Sequence, residues 1–210
     1  MADWSSSEGG MMRAEQIASR LCRGYAKAAG ILGHSGEQYR PDNPLSPMQN
    51  IYAHPMLAFD SSADFTFSRS PNWGGVMEYV LTDCREDTVV GDILTCGGNT
   101  FFVAAVDDLR PPLCVACNRT VEISGVSGTQ GNVVEECPAA IILRSKGEGS
   151  GSGIPGSAKP GQFVMYLPRL PAIVLQPYMT VTTDLDTTYT INAAEMSDWG
   201  LRCTMSLQQV

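Results

Sequence analysis

Histidine is nearly absent from this 210-residue chain, which has only His34 and His54. A Ser–His or Cys–His nucleophilic pair would have to use one of them, and both sit in proline-containing connecting segments. No G-x-S-x-G occurs, so hydrolase chemistry of that kind has no foothold. Charge is scarce too: charged residues make up 17% of the chain, against roughly a quarter in ordinary soluble domains. Either partners cover much of the surface or a Ser/Thr-rich β protein needs few charges. Lysine and arginine form no run and the net charge is −8. Phosphates would be repelled, which argues against a general or sequence-specific nucleic-acid binder. Apolar runs long enough to span a bilayer are missing, and MADWSSSEGG has no basic region ahead of an apolar core. Neither a membrane span nor a signal peptide is expected, so folding in a cytoplasm is.

Motifs that carry chemistry are equally sparse. CVAC (114–117) has C-x-x-C spacing, but zinc needs two further ligands, and a redox pair needs a following helix to depress the thiol pKa. On an extended strand, positions 114 and 117 point to opposite faces. GEGSGSGIPG has no G-K-[ST] ending for phosphate, and DLD is too short for a calcium loop. Carboxylate pairs occur at Asp107–Asp108, Asp184–Asp186 and Glu135–Glu136. All fall in turns or at strand ends, where solvated acids are the default. No catalytic residue, cofactor or metal is therefore expected, and an enzyme is disfavoured. The seven cysteines are odd in number and scattered, which does not read as a secreted disulfide framework; small apolar core residues are the simpler reading.

What is present is β-rich. Residues 1–10 are small and polar and are expected to be flexible. Residues 11–33 predict an amphipathic helix, because Ala14, Ala18, Leu21, Tyr25, Ala28 and Leu32 recur at helical spacing and Gly33 can end it. That face packs on its own domain or docks on another subunit. Residues 34–50 hold three prolines and read as an extended arm. A first β unit is expected over 51–146, with strands in DFTFS, GVMEYVLTD and PAAIILRS and a turn at SPNWGG. LCVAC and TVEI make one long strand or two short ones. The glycine-rich 147–162 is the best boundary, and a second β unit, starting with strands FVMYLPRL and AIVLQ, spans 163–210 and packs on the first.

VGDILTCGGNTFFVAAV (90–106) predicts a β-hairpin turning on Gly97-Gly98. The C-terminal stretch repeats its plan: Thr100-Phe101-Phe102-Val103 corresponds to Thr188-Tyr189-Thr190-Ile191, AAVDD to AAEMS, and CVACNRTVEI to LRCTMSL. A repeat implies two related supersecondary units. The expected fold is mainly β: two related small barrels or sandwiches with an N-terminal amphipathic helix and a Pro-rich arm.

GDILTCGGNTFFVAAVDDLRPPLCVACNRTVEI, with the helix pattern from residue 13 and the later LPRLPAIVLQP, TDLDTTYTI and AAEMSDWGLR, resembles segments of tailed-bacteriophage and prophage virion proteins. A related plan, with a G-D turn, a strand, a glycine turn and an aromatic strand, resembles that of head–tail joining proteins of the stopper type, small β-barrels at the neck. The chain is longer than such proteins, having a duplication and an added helix. The resemblance implies a structural virion component that forms a homo-oligomeric ring, assembles in the bacterial cytoplasm, contacts portal, adaptor and tail proteins, and has no membrane partner. Tail terminator, tail-tube, baseplate, collar and fibre-attachment stations are its rivals. A stand-alone β-sandwich binding module is the alternative class; it would expose Trp4, Trp73 or Trp199 in a concave patch, although Trp199 is expected to pack over a hairpin end. Leu21, Tyr25, Leu32, Tyr39 and Pro41 are the candidate subunit contacts. Cys96, Cys114 and Cys117 are the candidate inter-subunit thiols.

Overall fold

The computed structural model describes residues 8–65, 75–83, 87–126, 131–144 and 162–208. Among the described residues, helix α1 (Glu8–Leu32) leads into thirteen strands. It begins inside the stretch expected to be flexible. At the other end the Gly33 N–H donates to Ala29 O at 2.8 Å, ending the helix where the sequence placed its terminator. Ala29 is buried, and α1 lies against two strands of the first barrel described below.

The first barrel uses β1 (His34–Tyr39), β2 (Ile51–Ala53), β3 (Met56–Asp60), β4 (Met77–Leu81), β5 (Ile93–Cys96), β6 (Asn99–Asp107) and β7 (Arg110–Cys117). One edge of β1 pairs with β2 and then β3, which are two halves of one run broken at His54-Pro55. Its other edge pairs with β5, closing the circuit β1-β3-β4-β7-β6-β5. The expected arm is thus corrected over 34–39: HSGEQY is a central strand, because alternating side chains put Gly36 and Gln38 inside. Prolines begin only at Pro41, and turns follow.

The second barrel uses β8 (Arg119–Ser124), β9 (Asn132–Arg144), β10 (Gln162–Leu167), β11 (Thr180–Thr183), β12 (Thr188–Ser197) and β13 (Gly200–Leu207). Its circuit, β8-β9-β10-β13-β12-β11, is the first barrel's order strand for strand. A sandwich is therefore excluded, and the repeat is larger than the sequence indicated: six strands each rather than a three-strand meander. The predicted hairpin is real. Gly97 (φ +59°) and Gly98 (φ +81°) are its two turn residues, a pair of positive φ values that residues with a Cβ adopt at a cost. LCVAC and TVEI resolve into two strands.

The strand pairing also moves the boundary. The 147–162 segment, of which 147–161 lie outside the described residues, connects β9 to β10, and these pair with each other within one barrel. The change of barrel falls instead at Asn118, the single residue between β7 and β8. Its side chain accepts from Ile141 N and donates to Ile141 O, both at 2.9 Å, so it pairs like a strand residue. Charge and glycine content carry no trace of so short a junction. AIVLQ is a second correction. Ile173 and Leu175 are buried and Val174 exposed, as in a strand, but among the described residues the segment has no ladder partner; it lines the core of the second barrel. DFTFS reaches only Phe65 within the described residues, with φ +49° rather than an extended value.

The two cores differ. The second barrel is filled by a large apolar cluster including Ile123, Met165, Met179, Ile191 and Met205. The first has a smaller one around Leu57, Val80, Leu94, Phe101 and Val103. Between the barrels, the outward side chains Ile93, Phe102, Ala104 and Val115 of the first pack with Ala140 and Tyr166 of the second. At about 25 cal/mol per Å2, burying such side chains contributes roughly 1.5–3 kcal/mol each, enough to couple the barrels.

Candidate functional site

Two surfaces and one buried cluster stand out once the barrels are aligned. The first surface is formed by the β6–β7 and β12–β13 hairpin tips, which are built alike. Asp107 pairs with Arg110 and Ser197 with Gly200, leaving the two-residue turns Asp108-Leu109 and Asp198-Trp199. Turn residues are usually polar, yet Leu109 is 51% and Trp199 59% exposed, and the preceding Val106 and Met196 are exposed as well. Ser197 shapes the second tip: its Oγ donates to Gly200 O at 3.2 Å and accepts from Trp199 N at 3.3 Å.

Trp199 borders a cleft of about 350 Å3 between the barrels, with Phe102 and Val115 on one wall and Tyr166 and Leu167 on the other. An exposed ion pair, Arg202–Glu195, stands on its edge. Trp199, expected to pack over a hairpin end, stands at the second turn position and is more than half exposed beside this cleft. Trp4 and Trp73 lie outside the described residues. Such a junction between two units is where ligands are commonly held.

The second surface is an open mouth of the first barrel. Inward-facing Phe59 and Phe101 stack there with centroids 3.8 Å apart, and Glu78, Cys96 and His34 line the same opening.

The buried cluster lies in the first barrel beside Gly91. The Asp92 side chain is fully buried and receives Gln38 Nε2 at 2.6 Å, Val89 N at 2.9 Å, and Arg40 through Nε at 2.9 Å and Nη2 at 3.0 Å. Arg40 also reaches Asp87 and lies 3.8 Å over the Tyr52 ring. Hydrogen bonding to Asp92 raises the already high pKa of this guanidinium. Every carboxylate oxygen is occupied, so the cluster binds β1 to the lead-in of β5 and leaves no free base. In the second barrel the positions equivalent to Gln38 and Asp92 are Ile123 and Met179, both buried. Sequence reading missed this cluster. The signal was present: in GDIL, Asp92 has the same inward parity as Leu94.

The predicted contact residues are not brought together. Leu21 and Tyr25 are partly covered on α1, where Tyr25 Oη donates to Leu109 O at 3.3 Å. Leu32, 50% exposed, lies at the mouth of the first barrel. Pro41 lines a small cleft with Arg40 and Arg169. Tyr39 lies on the outer face of β1, partly buried against the inter-barrel cluster, with its hydroxyl bonded to Glu37.

The thiols separate in the same way. Cys114 is wholly buried on the inner face of β7, which rules it out as an inter-subunit thiol. Burial pushes the Cys117 thiol up to about 12, so it is a poor nucleophile despite its partial exposure. Cys96 is free and partly exposed, its pKa raised by desolvation. Cys137 and Cys203 are core residues, as expected, but Cys22 on α1 is disulfide-bonded, which corrects the core reading for that residue. Among the described residues no group of three or more His, Cys, Asp or Glu is placed to hold a metal ion. None of the described helices is long and apolar enough to cross a membrane.

Compared with family models, curated proteins and solved structures, the chain matches none of them.

Proposed function

We propose that this protein is a non-catalytic structural subunit of a tailed-phage virion. In this reading it acts at the neck, between portal or adaptor and tail, as a homo-oligomeric ring. The observation that carries the assembly reading is the pair of equivalent hairpin tips presenting Leu109 and Trp199 to solvent. Single exposed apolar residues are ordinary. The same placement in both copies of one unit is what a contact surface requires. The assignment to a virion rests on the resemblance of residues 91–123 and of the C-terminal meander to tailed-phage and prophage proteins, and the neck on the related plan of the first of these segments.

A second comparison limits how such a ring could close. The first barrel buries Ile93, Phe102, Ala104 and Val115 against the second. The equivalent positions of the second barrel are Thr180, Thr190, Asn192 and Ser206, none of them buried. Ser206 Oγ bonds Asn192, and Gln208 bonds Thr190. A polar face of this kind does not repeat an apolar interface head to tail. Contacts between subunits therefore fall to the hairpin tips and to exposed helix residues such as Ile17 and Ile31.

Size-exclusion chromatography with light scattering, followed by negative-stain imaging, tests this. Rings are expected, and Trp199→Ser with Met196→Ser should reduce the assembled fraction. A monomer at tens of micromolar that associates with neither portal nor tail proteins would overturn the reading. Trp199 at a concave cleft favours one rival, a monomeric binding module, for which ligand-dependent quenching of Trp199 without assembly is the expected result.

A further inference from the structure

We infer that the open mouth of the first barrel is a binding site for an alkylammonium group, with Glu78 as its counter-ion and Phe59 and Phe101 as the wall for its apolar body. The inference is independent of the virion reading.

Strand parity places the site. On β4, Glu78 and Val80 share a face; Val80 is core, and Glu78 stands directly across from the buried Cys114 of β7. Glu78 therefore points into the barrel, a place that barrels of this size fill with apolar side chains. The second barrel is filled mainly by such side chains. Among the described residues Glu78 has no hydrogen-bond or ion-pair partner, and its pKa is raised by desolvation and then by Asp60 nearby. A half-buried carboxylate without a partner is a cost that a stable fold has no reason to carry. A cation relieves it.

The surroundings say which kind of cation. The opening has a volume of about 490 Å3, and among the described residues no lysine or arginine lines it. One side is apolar, formed by the stacked Phe59 and Phe101 with Leu57 and Ala116, while Asn99 and Thr100 supply polar atoms at the rim. A small inorganic cation would leave the aromatic wall unused, and a metal would need more ligands than Glu78. An ammonium on a short alkyl chain uses both, because aromatic faces also attract cations. A free amine and a lysine side chain of another protein both present this group, and the chemistry at Glu78 is the same.

Calorimetric titration of the full chain with n-butylammonium, n-butanol and Nα-acetyl-lysine methylamide tests this. The amine is expected to bind saturably and at least tenfold more tightly than the alcohol of the same shape. Glu78→Gln should abolish that preference, while Glu122→Gln, an exposed carboxylate elsewhere, should leave it intact. Tighter binding of the lysine derivative than of butylammonium would identify a protein side chain as the source, and the reverse a free amine. Equal affinity for amine and alcohol in the unsubstituted protein, no saturable binding of either amine, or amide shifts mapping away from Phe59 and Phe101 would overturn the inference. These comparisons need no variant to fold, and none of them depends on whether rings form.

Discussion

Gly91 and Tyr178 hold the same place in the two barrels. Gly91 N donates to Val103 O at 2.9 Å and Tyr178 N to Ile191 O at 2.8 Å, each at the residue preceding a β-bulge. Both have positive φ, +97° and +71°. One barrel meets the demand with glycine and the other with a bulky, 74% exposed tyrosine.

Opposite effects of substitution follow. Gly91→Ala should destabilise by about 2 kcal/mol or more, since its Cβ would also lie 2.7 Å from Arg169 O. Tyr178→Gly should stabilise by roughly 0.5–1 kcal/mol, because the strain is relieved and little packing is lost. Urea unfolding of the two variants checks both signs.

Asp92 and Arg40 give the second expectation. Asp92→Asn leaves a partly buried guanidinium without its carboxylate and should cost about 2–4 kcal/mol. Gln38→Ile together with Asp92→Met copies the second barrel's Ile123 and Met179. That double variant should lose less than the sum of its two single substitutions. A double-mutant cycle in urea decides, and strict additivity would count against coupling.

Thiol chemistry supplies a pH dependence. Burial pushes Cys117 and Cys203 up to about 12, so in the native state they stay protonated while the unfolded thiols ionise near their ordinary value of about 8.5. The unfolded state then binds fewer protons, and stability present below that pH is lost as pH rises toward 12. Serine at both positions should flatten the alkaline limb of the stability profile. At pH 8, maleimide should label Cys96 before Cys114, Cys137 and Cys203, which react only on unfolding; the readout is mass spectrometry.

Glu78 carries the same sign into the acidic range. Its raised pKa means that it destabilises the ionised native state, so stability is greatest below the unfolded pKa of about 4.3 and falls as pH rises through the folded value. Glu78→Gln should be more stable than the parent at pH 7, by less than about 1 kcal/mol after solvent screening. The difference should vanish near pH 3. Thermal melts at the two pH values check this.

How much of this was legible depends on the range of the interaction. The helix, its Gly33 terminator and the Gly97-Gly98 hairpin were readable because each is decided within a few residues. The repeat was visible only where the same turn chemistry recurred, around Thr100–Val103 and Thr188–Ile191. HSGEQY passed as an arm because the prolines after it outweighed its weak alternation. AIVLQ passed as a strand because burial alternates there without a partner. Trp199 was given a packed role because nothing local shows that its hairpin overhangs a cleft.

The sequence by itself determined that the protein is mainly β, begins with a helix, and is built from two related units. Local φ preferences and the alternation of apolar residues suffice for that. Only the tertiary structure decided that both units are closed six-stranded barrels of one strand order, that they meet at Asn118, and that Asp92 is paired while Glu78 is not. Those facts depend on which strands become neighbours across tens of residues. Pairing of that kind is set by the sum of many weak contacts rather than by any single stretch.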